Sequence, residues 1–252
     1  MEPSRSHGPT RRGALPETIT LSVTRYDPRT DNAPHQQEYA IPYRDDMVVL
    51  DALNYIKNQV DGTLTFRWSC RMGICGSCGM MVNGTPRLTC GAFLHEFYPR
   101  PVTVAPLANF PVIRDLVIDM TDFMQKLRDV KPWIIRDDEK PLEEGVYRQF
   151  SMCINCALCY AACPVYGNDS SFTGPAVIAL ARRYNLDSRD QGKKERSPAI
   201  THGEGIWECT YVGECSVVCP KHVDPAKAIQ QTKWDTTLEW AKSLVMPWGS
   251  KG

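Results

Sequence analysis

The sequence has no excess of charge of either sign and no long apolar run. Its 252 residues contain 29 Lys and Arg residues and 29 Asp and Glu residues, so the chain lacks the basic balance that is typical of proteins that bind nucleic acid. No apolar run reaches the roughly 18 to 20 residues that a membrane-spanning helix needs. We therefore expect any association with a membrane to go through a partner or a surface.

The first 17 residues lack the apolar segment that follows the basic residues of a secretion signal. They are polar, rich in Pro and Gly, and contain the pair Arg11-Arg12. A secretory or twin-arginine signal is therefore not predicted, and we expect residues 1–17 to form a disordered tail. A short organellar transit peptide stays open as an alternative, because the stretch has arginines and few acidic residues.

Cysteine, in contrast, is abundant, with 11 residues in the chain. An odd number of cysteines in a chain without a secretion signal argues against a disulfide framework and favours metal ligation. The cysteines fall into three groups, over residues 70–90, 153–163 and 209–219.

Hydrophobic periodicity changes near residue 111. Before that point, strand-like alternation predominates, with one helical segment over 47–60. The predicted strands lie at 19–27, 37–43, 79–90 (two strands joined by an Asn-Gly turn) and 101–107. After residue 111, helical periodicity predominates, at 112–130, 175–185 and 225–245. The sequence therefore predicts an α+β fold, with a first domain over 18–115 and an all-helical second domain over 116–248.

The first cysteine group has the spacing C-x4-C-x2-C, with a fourth cysteine further on, which is typical of plant-type [2Fe–2S] sites. The predicted ligands are Cys70, Cys75, Cys78 and Cys90. Gly73, Gly76 and Gly79 lack the Cβ atoms that would block a loop whose N–H groups must point at sulfur. A four-cysteine zinc site is the alternative. Such sites pair two C-x2-C elements, whereas here three cysteines share one glycine-rich loop.

The second group, CINCALCYAACP from Cys153, has the C-x2-C-x2-C-x3-C-P spacing of bacterial ferredoxins, in which the fourth cysteine binds the other cluster of a pair. The third group, CTYVGECSVVCP from Cys209, repeats this pattern, with Val212 where the first run has Cys156. The reciprocal pairing predicts two ligand sets. They are Cys153, Cys156, Cys159 and Cys219 for a [4Fe–4S] cluster, and Cys163, Cys209 and Cys215 for the other cluster.

Val212 cannot bind iron, so the last set has three thiolates. This predicts a [3Fe–4S] cluster, and sets of four, four and three ligands use all 11 cysteines. Two alternatives stay open at this position. One is a degenerate repeat without metal, and the other is a labile [4Fe–4S] cluster with water or hydroxide on its fourth iron.

Four segments together resemble the iron–sulfur subunit of succinate dehydrogenase and fumarate reductase. They are WSCRMGICGSCGMMVNG, CINCALCYAACP, LDSRDQGKKER (186–196) and CPKHVDPAKAIQ (219–230). The resemblance covers about residues 18–235. It implies an N-terminal β-grasp ferredoxin domain followed by an α-helical ferredoxin domain, and three clusters that conduct single electrons.

The resemblance also implies partners and a location. The electrons would pass between a FAD-containing flavoprotein subunit, where succinate and fumarate interconvert, and quinone at membrane-anchor subunits. This chain would then contain no catalytic residue for the dicarboxylate. It would lie peripherally on the cytoplasmic side of a bacterial membrane.

Several residues resemble the menaquinone-linked members more than the ubiquinone-linked ones. Gly167-Asn168 and Thr210 stand where ubiquinone-linked members have a Trp pair and a His, and Lys233 matches a quinone-site lysine of fumarate reductases. The quinone contacts that the resemblance implies are Pro164, Thr210, Tyr211, Gln230 and Lys233.

Two further interpretations follow from the sequence. Trp234, Leu238, Ala241 and Val245 form a helical stripe, for which we expect core packing, with docking on the anchor or the membrane surface as the alternative. A free-standing multicluster ferredoxin is the competing function, and a structural zinc protein is a third.

Overall fold

The computed structural model describes residues 18–136 and 147–245. The predicted tail over 1–17, the whole predicted connection over 137–145 and the end of the second domain at 246–248 lie outside the described residues. Residue numbers within the two ranges are those of the printed sequence.

The first part of the chain is a five-stranded mixed sheet in the order β2-β1-β5-β3-β4. The strands are β1 (Thr18–Arg25), β2 (His35–Pro42), β3 (Gly79–Val82), β4 (Thr85–Leu88) and β5 (Val102–Ala105). Leu21 lies opposite Tyr39 in an antiparallel pair and opposite Val102 in a parallel pair, so β1 is central. Helix α1 (Val49–Tyr55), extended by a π-helical turn over Ile56–Val60, packs on the sheet. This is the predicted β-grasp arrangement.

Sequence patterns explain these elements locally. Leu21 and Val23 alternate along β1 and are fully buried, as expected for a strand with one face on the core. The turn between β3 and β4 consists of Asn83 and Gly84, both with positive φ (47° and 78°), which is the conformation that Asn-Gly favours in two-residue hairpins. The predicted hairpin over 79–90 is therefore confirmed.

The prediction of helix over the whole of 112–130 is wrong for its first part. Residues Val112–Arg114 (β6) and Val117–Ile118 (β7) pair as a small antiparallel hairpin, and helix α2 spans Thr121–Asp129. The turn of this hairpin contains Asp115, with φ of 45°, and its carboxylate accepts hydrogen bonds from Arg25 Nε at 3.0 Å and from two backbone N–H groups. These long-range contacts outweigh the local helical periodicity.

The second part of the chain is helical, as predicted. Its helices are α3 (Leu158–Ala161), α4 (Pro164–Asn168), α5 (Pro175–Asn185), α6 (Lys193–Thr201), α7 (Glu214–Val217) and α8 (Pro225–Val245). Helices α5 and α8 have the predicted bounds, and both begin with proline, which is favoured at the first helical position. Short side chains such as Ala179 and Ala228, both fully buried, line the contact region of α5 and α8.

One hydrophobic core joins the two parts. Phe110 and Phe123 pack against two tyrosines near the second cysteine group, with ring centroids 5.0 Å apart for Phe123 and Tyr160 and 5.7 Å apart for Phe110 and Tyr166. Residues on both sides of position 115 contribute to this core. The domain boundary between 115 and 116 therefore stays a prediction.

A buried ion pair connects α6 to the segment after α2. Arg196 and Asp190 both have fully buried side chains and form two hydrogen bonds of 2.6 and 2.7 Å. The same guanidinium also donates to the carbonyl oxygens of Lys131 and Trp133. Arg196, the last residue of the segment 186–196, thus has a structural role at this site.

Two residues of the predicted stripe on α8 are exposed, Ala241 is half-buried, and the side chain of Val245 lies outside the described residues. Trp234 and Leu238 are 69% and 52% exposed, and Trp240 and Leu244, on a neighbouring face, are exposed as well. The expected core packing is wrong for these side chains, because only the first part of α8, up to Thr232, contains buried residues. No helix in the described part of the chain is both long enough and apolar enough to span a bilayer.

Candidate metal centres

The first thiol group lies in a loop that points its N–H groups at sulfur. Cys70 Sγ accepts hydrogen bonds from the N–H groups of Met72, Ile74 and Cys75 at 3.3 to 3.4 Å. These bonds lower the pKa of the Cys70 thiol to about 6. The loop reaches this geometry because Gly73 has a positive φ of 67°, which an L side chain rarely adopts.

Cys78 and Cys90 complete this group from the other side. Thr89 binds the Cys78 carbonyl oxygen through its N–H and its hydroxyl, both at 3.0 Å, which brings the neighbouring Cys90 close to Cys78. Burial, with a contribution from Cys78, raises the pKa of Cys90 to about 11. Cys90 was expected on a strand, but β4 ends at Leu88 and Cys90 lies in a 3₁₀ turn over Thr89–Gly91.

The second thiol group lines a small cavity. Its thiols are those of Cys153, Cys156, Cys159 and Cys219. Burial raises the pKa of Cys156 to about 11, and the charges of Cys153 and Cys219 add to the effect. Cys219, the last cysteine of the later run, therefore lies with the first three of the earlier run.

The third thiol group lines a neighbouring small cavity, together with Val212. Its thiols are those of Cys163, Cys209 and Cys215. Burial, followed by the charges of Cys163 and Cys209, raises the pKa of Cys215 to about 12. Among the described residues, no three His, Cys, Asp or Glu side chains have the arrangement that a single metal ion needs.

The two ferredoxin-type runs have the same backbone conformation on either side of Cys156 in the earlier run and of Val212 in the later run. In the earlier run, Asn155 and Ala157 on either side of Cys156 have φ of 53° and 62°. In the later run, Tyr211 and Gly213 on either side of Val212 have φ of 62° and 89°. Val212 therefore occupies the structural equivalent of Cys156.

The three groups are in serial contact. A Cβ atom at Gly76, in the first loop, would lie 2.8 Å from Cys156 Cβ, so only glycine allows this approach. Burial raises the pKa of Cys159 well above its ordinary value, and the charges of its own group and of Cys215, in the third group, contribute. The second group thus lies between the first and the third.

All five residues predicted to contact quinone lie around Cys209. Pro164, Thr210 and Tyr211 line the third cavity. Lys233 Nζ donates to the Cys209 carbonyl oxygen at 2.7 Å, and Gln230 Nε2 lies 3.9 Å from Cys209 Sγ.

Sequence reasoning missed Asn109. Its side-chain amide donates to carbonyl oxygens of residues 160–163, between the second and third groups. A single asparagine in a coil segment has no spacing or periodicity that indicates such a role.

Comparison with known families agrees with this arrangement. Residues 20–125 match the family described as "2Fe-2S iron-sulfur cluster binding domain". Residues 149–223 match the "4Fe-4S dicluster domain" family.

Full-length relatives cover nearly the whole chain. The fumarate reductase iron-sulfur subunit of Mycobacterium tuberculosis is 55% identical over 243 residues, covering 92% of this chain and 98% of the relative. The subunit of the same name from Escherichia coli O6:H1 is 50% identical over 240 residues, with the same coverage. The mitochondrial succinate dehydrogenase [ubiquinone] iron-sulfur subunit of Candida glabrata is 35% identical, covering 87% and 92%.

A solved structure has the same fold. A chain of the Mycobacterium smegmatis Sdh1 complex in the apo form superposes with a TM-score of 0.72 at 30% identity, covering 87% of this chain and 96% of that one. Three thiol groups lie in series, both domain families match, and one relative is 55% identical over 92% of this chain. This chain therefore belongs to the family of iron–sulfur subunits of fumarate reductase and succinate dehydrogenase.

Proposed function

We propose that this chain is the electron-transfer subunit of a succinate dehydrogenase/fumarate reductase complex. It passes single electrons through three clusters between a FAD-containing flavoprotein subunit and quinone at a membrane anchor. The proposed ligands are Cys70, Cys75, Cys78 and Cys90 for [2Fe–2S], Cys153, Cys156, Cys159 and Cys219 for [4Fe–4S], and Cys163, Cys209 and Cys215 for [3Fe–4S].

The serial contact of the three thiol groups is the observation that carries this proposal. The first loop touches the second group at Gly76 and Cys156, and helix α3, which contains Cys159, contacts helix α7, which contains Cys215. Clusters held by these thiols would stand in a row, which is the arrangement that stepwise electron transfer requires.

The residues of each site fit the proposed group. When bound, each cluster accepts and releases one electron at a time, so that a two-electron flavin can exchange electrons with a quinone. The N–H groups around Cys70 favour its thiolate form, which is the form that binds iron. Apolar residues such as Ile154, Leu158 and Ile229 line the inner two cavities, and they limit the access of water to the sites.

The third group, with Val212 in place of a fourth cysteine, supports [3Fe–4S] as its occupant. Val212 lines the cavity at the position that Cys156 has in the second group. Its isopropyl group supplies no lone pair, so this corner of a cubane has no protein ligand.

We propose that quinone binds near Cys209. Lys233 and Gln230 approach this residue from α8, and Thr210 and Tyr211 follow it in the chain. Tyr211 is 61% exposed, so the site opens to the outside. The higher identity to fumarate reductase subunits than to ubiquinone-linked ones supports menaquinone as the partner.

Two exposed apolar surfaces fit the two proposed protein partners. Trp68, Met72 and Ile74 surround the first loop and would meet the flavoprotein. Trp234 and Leu238 lie on α8 beyond the third cavity and would meet the membrane anchor. We propose on this basis that the chain lies peripherally on the cytoplasmic face of a bacterial membrane.

Low-temperature EPR of the purified complex tests the proposal. We expect the signal of an oxidised [3Fe–4S] cluster before reduction and that of a reduced [2Fe–2S] cluster after dithionite. A monomer without flavoprotein on size exclusion would instead indicate a free-standing ferredoxin. Zinc without acid-labile sulfide would indicate a structural zinc protein.

A further inference from the structure

Asn109 connects the first part of the chain to the segment that joins the second and third thiol groups. Its Nδ2 lies 3.0 Å from Tyr160 O, 3.1 Å from Ala161 O and 3.3 Å from Cys163 O. Two amide hydrogens therefore serve three carbonyl oxygens of one short segment. This segment leads from Cys159, in the second cavity, to Cys163, in the third.

Ala161 O depends most on this donor. Tyr160 O also accepts from Cys163 N–H at 3.1 Å and Cys163 O from Gly167 N–H at 3.0 Å, whereas Ala161 is the last residue of helix α3, and the last carbonyl oxygens of a helix have no N–H group further along the helix to accept from. A buried carbonyl without a donor costs about 1–3 kcal/mol. Asn109 supplies the donor to Ala161 O from a residue more than 50 positions away.

On its other side, the Asn109 side chain is closely packed against Gly167. A Cβ atom at Gly167, in α4, would lie 2.7 Å from Asn109 Oδ1 and 3.0 Å from its Cγ and Nδ2. Gly167 N–H also donates to the Cys163 carbonyl oxygen at 3.0 Å. The carboxamide is thus held between the end of α3 and the start of α4, on both sides of Cys163.

We infer that Asn109 is a positioning residue that fixes Cys163 relative to Cys159, and with it the geometry of the third cluster site relative to the second. The inference rests on the proposed function, because it concerns the sites of clusters at these thiols. Asn109 touches no thiol and acts only through the backbone that bears them.

The test uses the purified complex with Asn109→Ala. Removal of a group that orients metal ligands typically lowers metal affinity about 10- to 100-fold. We therefore expect chelator to remove the [3Fe–4S] EPR signal about tenfold faster than in the unmodified complex. The reduced [2Fe–2S] signal should decay at its original rate, because the first thiol group has no contact with Asn109.

Asn83→Ala is the matched control. Asn109 and Asn83 have positive φ of 68° and 47°, and the side-chain oxygen of Asn83 accepts hydrogen bonds from Thr103 within the first sheet. Both substitutions therefore place alanine in the left-handed region, but only Asn109→Ala removes the donor to residues 160–163. The control should leave the decay of the [3Fe–4S] signal unchanged.

A second pair of variants tests the contact itself. Gly167→Ala should displace the Asn109 carboxamide and accelerate loss of the same signal. In an Asn109→Ala background, the added methyl has space, so Gly167→Ala should then have no further effect.

Equal decay in Asn109→Ala and the unmodified complex, or independent effects of the two substitutions, would overturn the inference. An unmodified complex without any [3Fe–4S] signal would instead contradict the proposed function.

Discussion

Gly76 and Cys156 are in van der Waals contact, although they belong to different thiol groups and lie 80 positions apart in the sequence. A Cβ atom at position 76 would lie 2.8 Å from Cys156 Cβ and 2.9 Å from its Cα. The loop of the first proposed site therefore packs directly against the loop of the second. This contact sets how closely the two sites approach each other.

Gly76→Ala should destabilise this junction. The φ of 74° costs an L residue about 1–2 kcal/mol, and the clash with Cys156 adds about 1–3 kcal/mol of overpacking. We expect a lower apparent Tm of the complex and loss of the [2Fe–2S] EPR signal. Gly84→Ala is the control, because Gly84 has a similar φ of 78° and no atom within 4 Å of its Cβ position. If both substitutions lowered the Tm and the EPR signal equally, backbone strain alone would account for the effect of Gly76→Ala.

Val212→Cys should convert the third site to a four-iron site. The backbone around Val212 matches that around Cys156, so the new thiol points into the same cavity as Cys163, Cys209 and Cys215. The oxidised [3Fe–4S] signal should disappear, and the midpoint potential of the site should fall. Val212→Ala provides no ligand and should keep the three-iron signal. An unchanged spectrum of the cysteine variant would contradict the equivalence of the two runs.

Lys233→Met should impair the reaction with quinone. A hydrogen bond from a charged donor contributes about 1.5–3 kcal/mol, so the KM for quinone should rise about 10- to 100-fold. Succinate oxidation with a soluble dye as acceptor should stay unchanged, since the flavoprotein is not affected. Lys227→Met is the control, because Lys227 is an exposed residue of the same helix. A rise in KM of the same size with the control would argue against a specific quinone contact.

Arg196→Met should destabilise the chain strongly. Removal of one partner of a buried ion pair typically costs about 3–5 kcal/mol, since it leaves Asp190 as an unpaired buried charge. Chemical denaturation at neutral pH measures the loss in the free energy of unfolding. Lys193→Met is the control, because Lys193 lies on the same helix as Arg196 and forms a surface ion pair with Glu239 of α8. Its loss should cost less than about 1 kcal/mol.

The stability loss of Arg196→Met should depend on pH. In the unmodified chain, burial acts to raise the pKa of Asp190, but hydrogen bonds from Arg196 and two backbone N–H groups outweigh it and lower the pKa. Such a carboxylate stabilises the fold above its ordinary pKa of about 3.9, and this contribution is lost as the pH falls through the lowered value.

In the variant, burial without the guanidinium raises the pKa of Asp190, so the charged form costs stability at neutral pH and protonation relieves the cost. The difference between variant and unmodified chain should therefore shrink as the pH falls from 7 toward the ordinary pKa of about 3.9. A difference that stays constant over this range would indicate that Asp190 is not the source of the loss.

The sequence by itself determined the features that depend on neighbouring residues. Cysteine spacing indicated the three groups and the exchange of Cys163 and Cys219 between the two runs, because the motif specifies a local loop conformation. Asn83-Gly84 indicated the hairpin, since both residues tolerate positive φ. The bounds of α5 and α8 followed from periodicity and proline.

The tertiary structure decided what depends on distant residues. Asp115 bonds Arg25, 90 positions away, and this contact favours a hairpin where periodicity predicts helix. Trp234 and Leu238 are exposed because the neighbours of α8 cover its first part and not these side chains. Asn109 and Gly76 gain their roles from contacts across 50 positions or more. Local sequence patterns do not indicate such contacts, because these contacts form only when the whole chain packs.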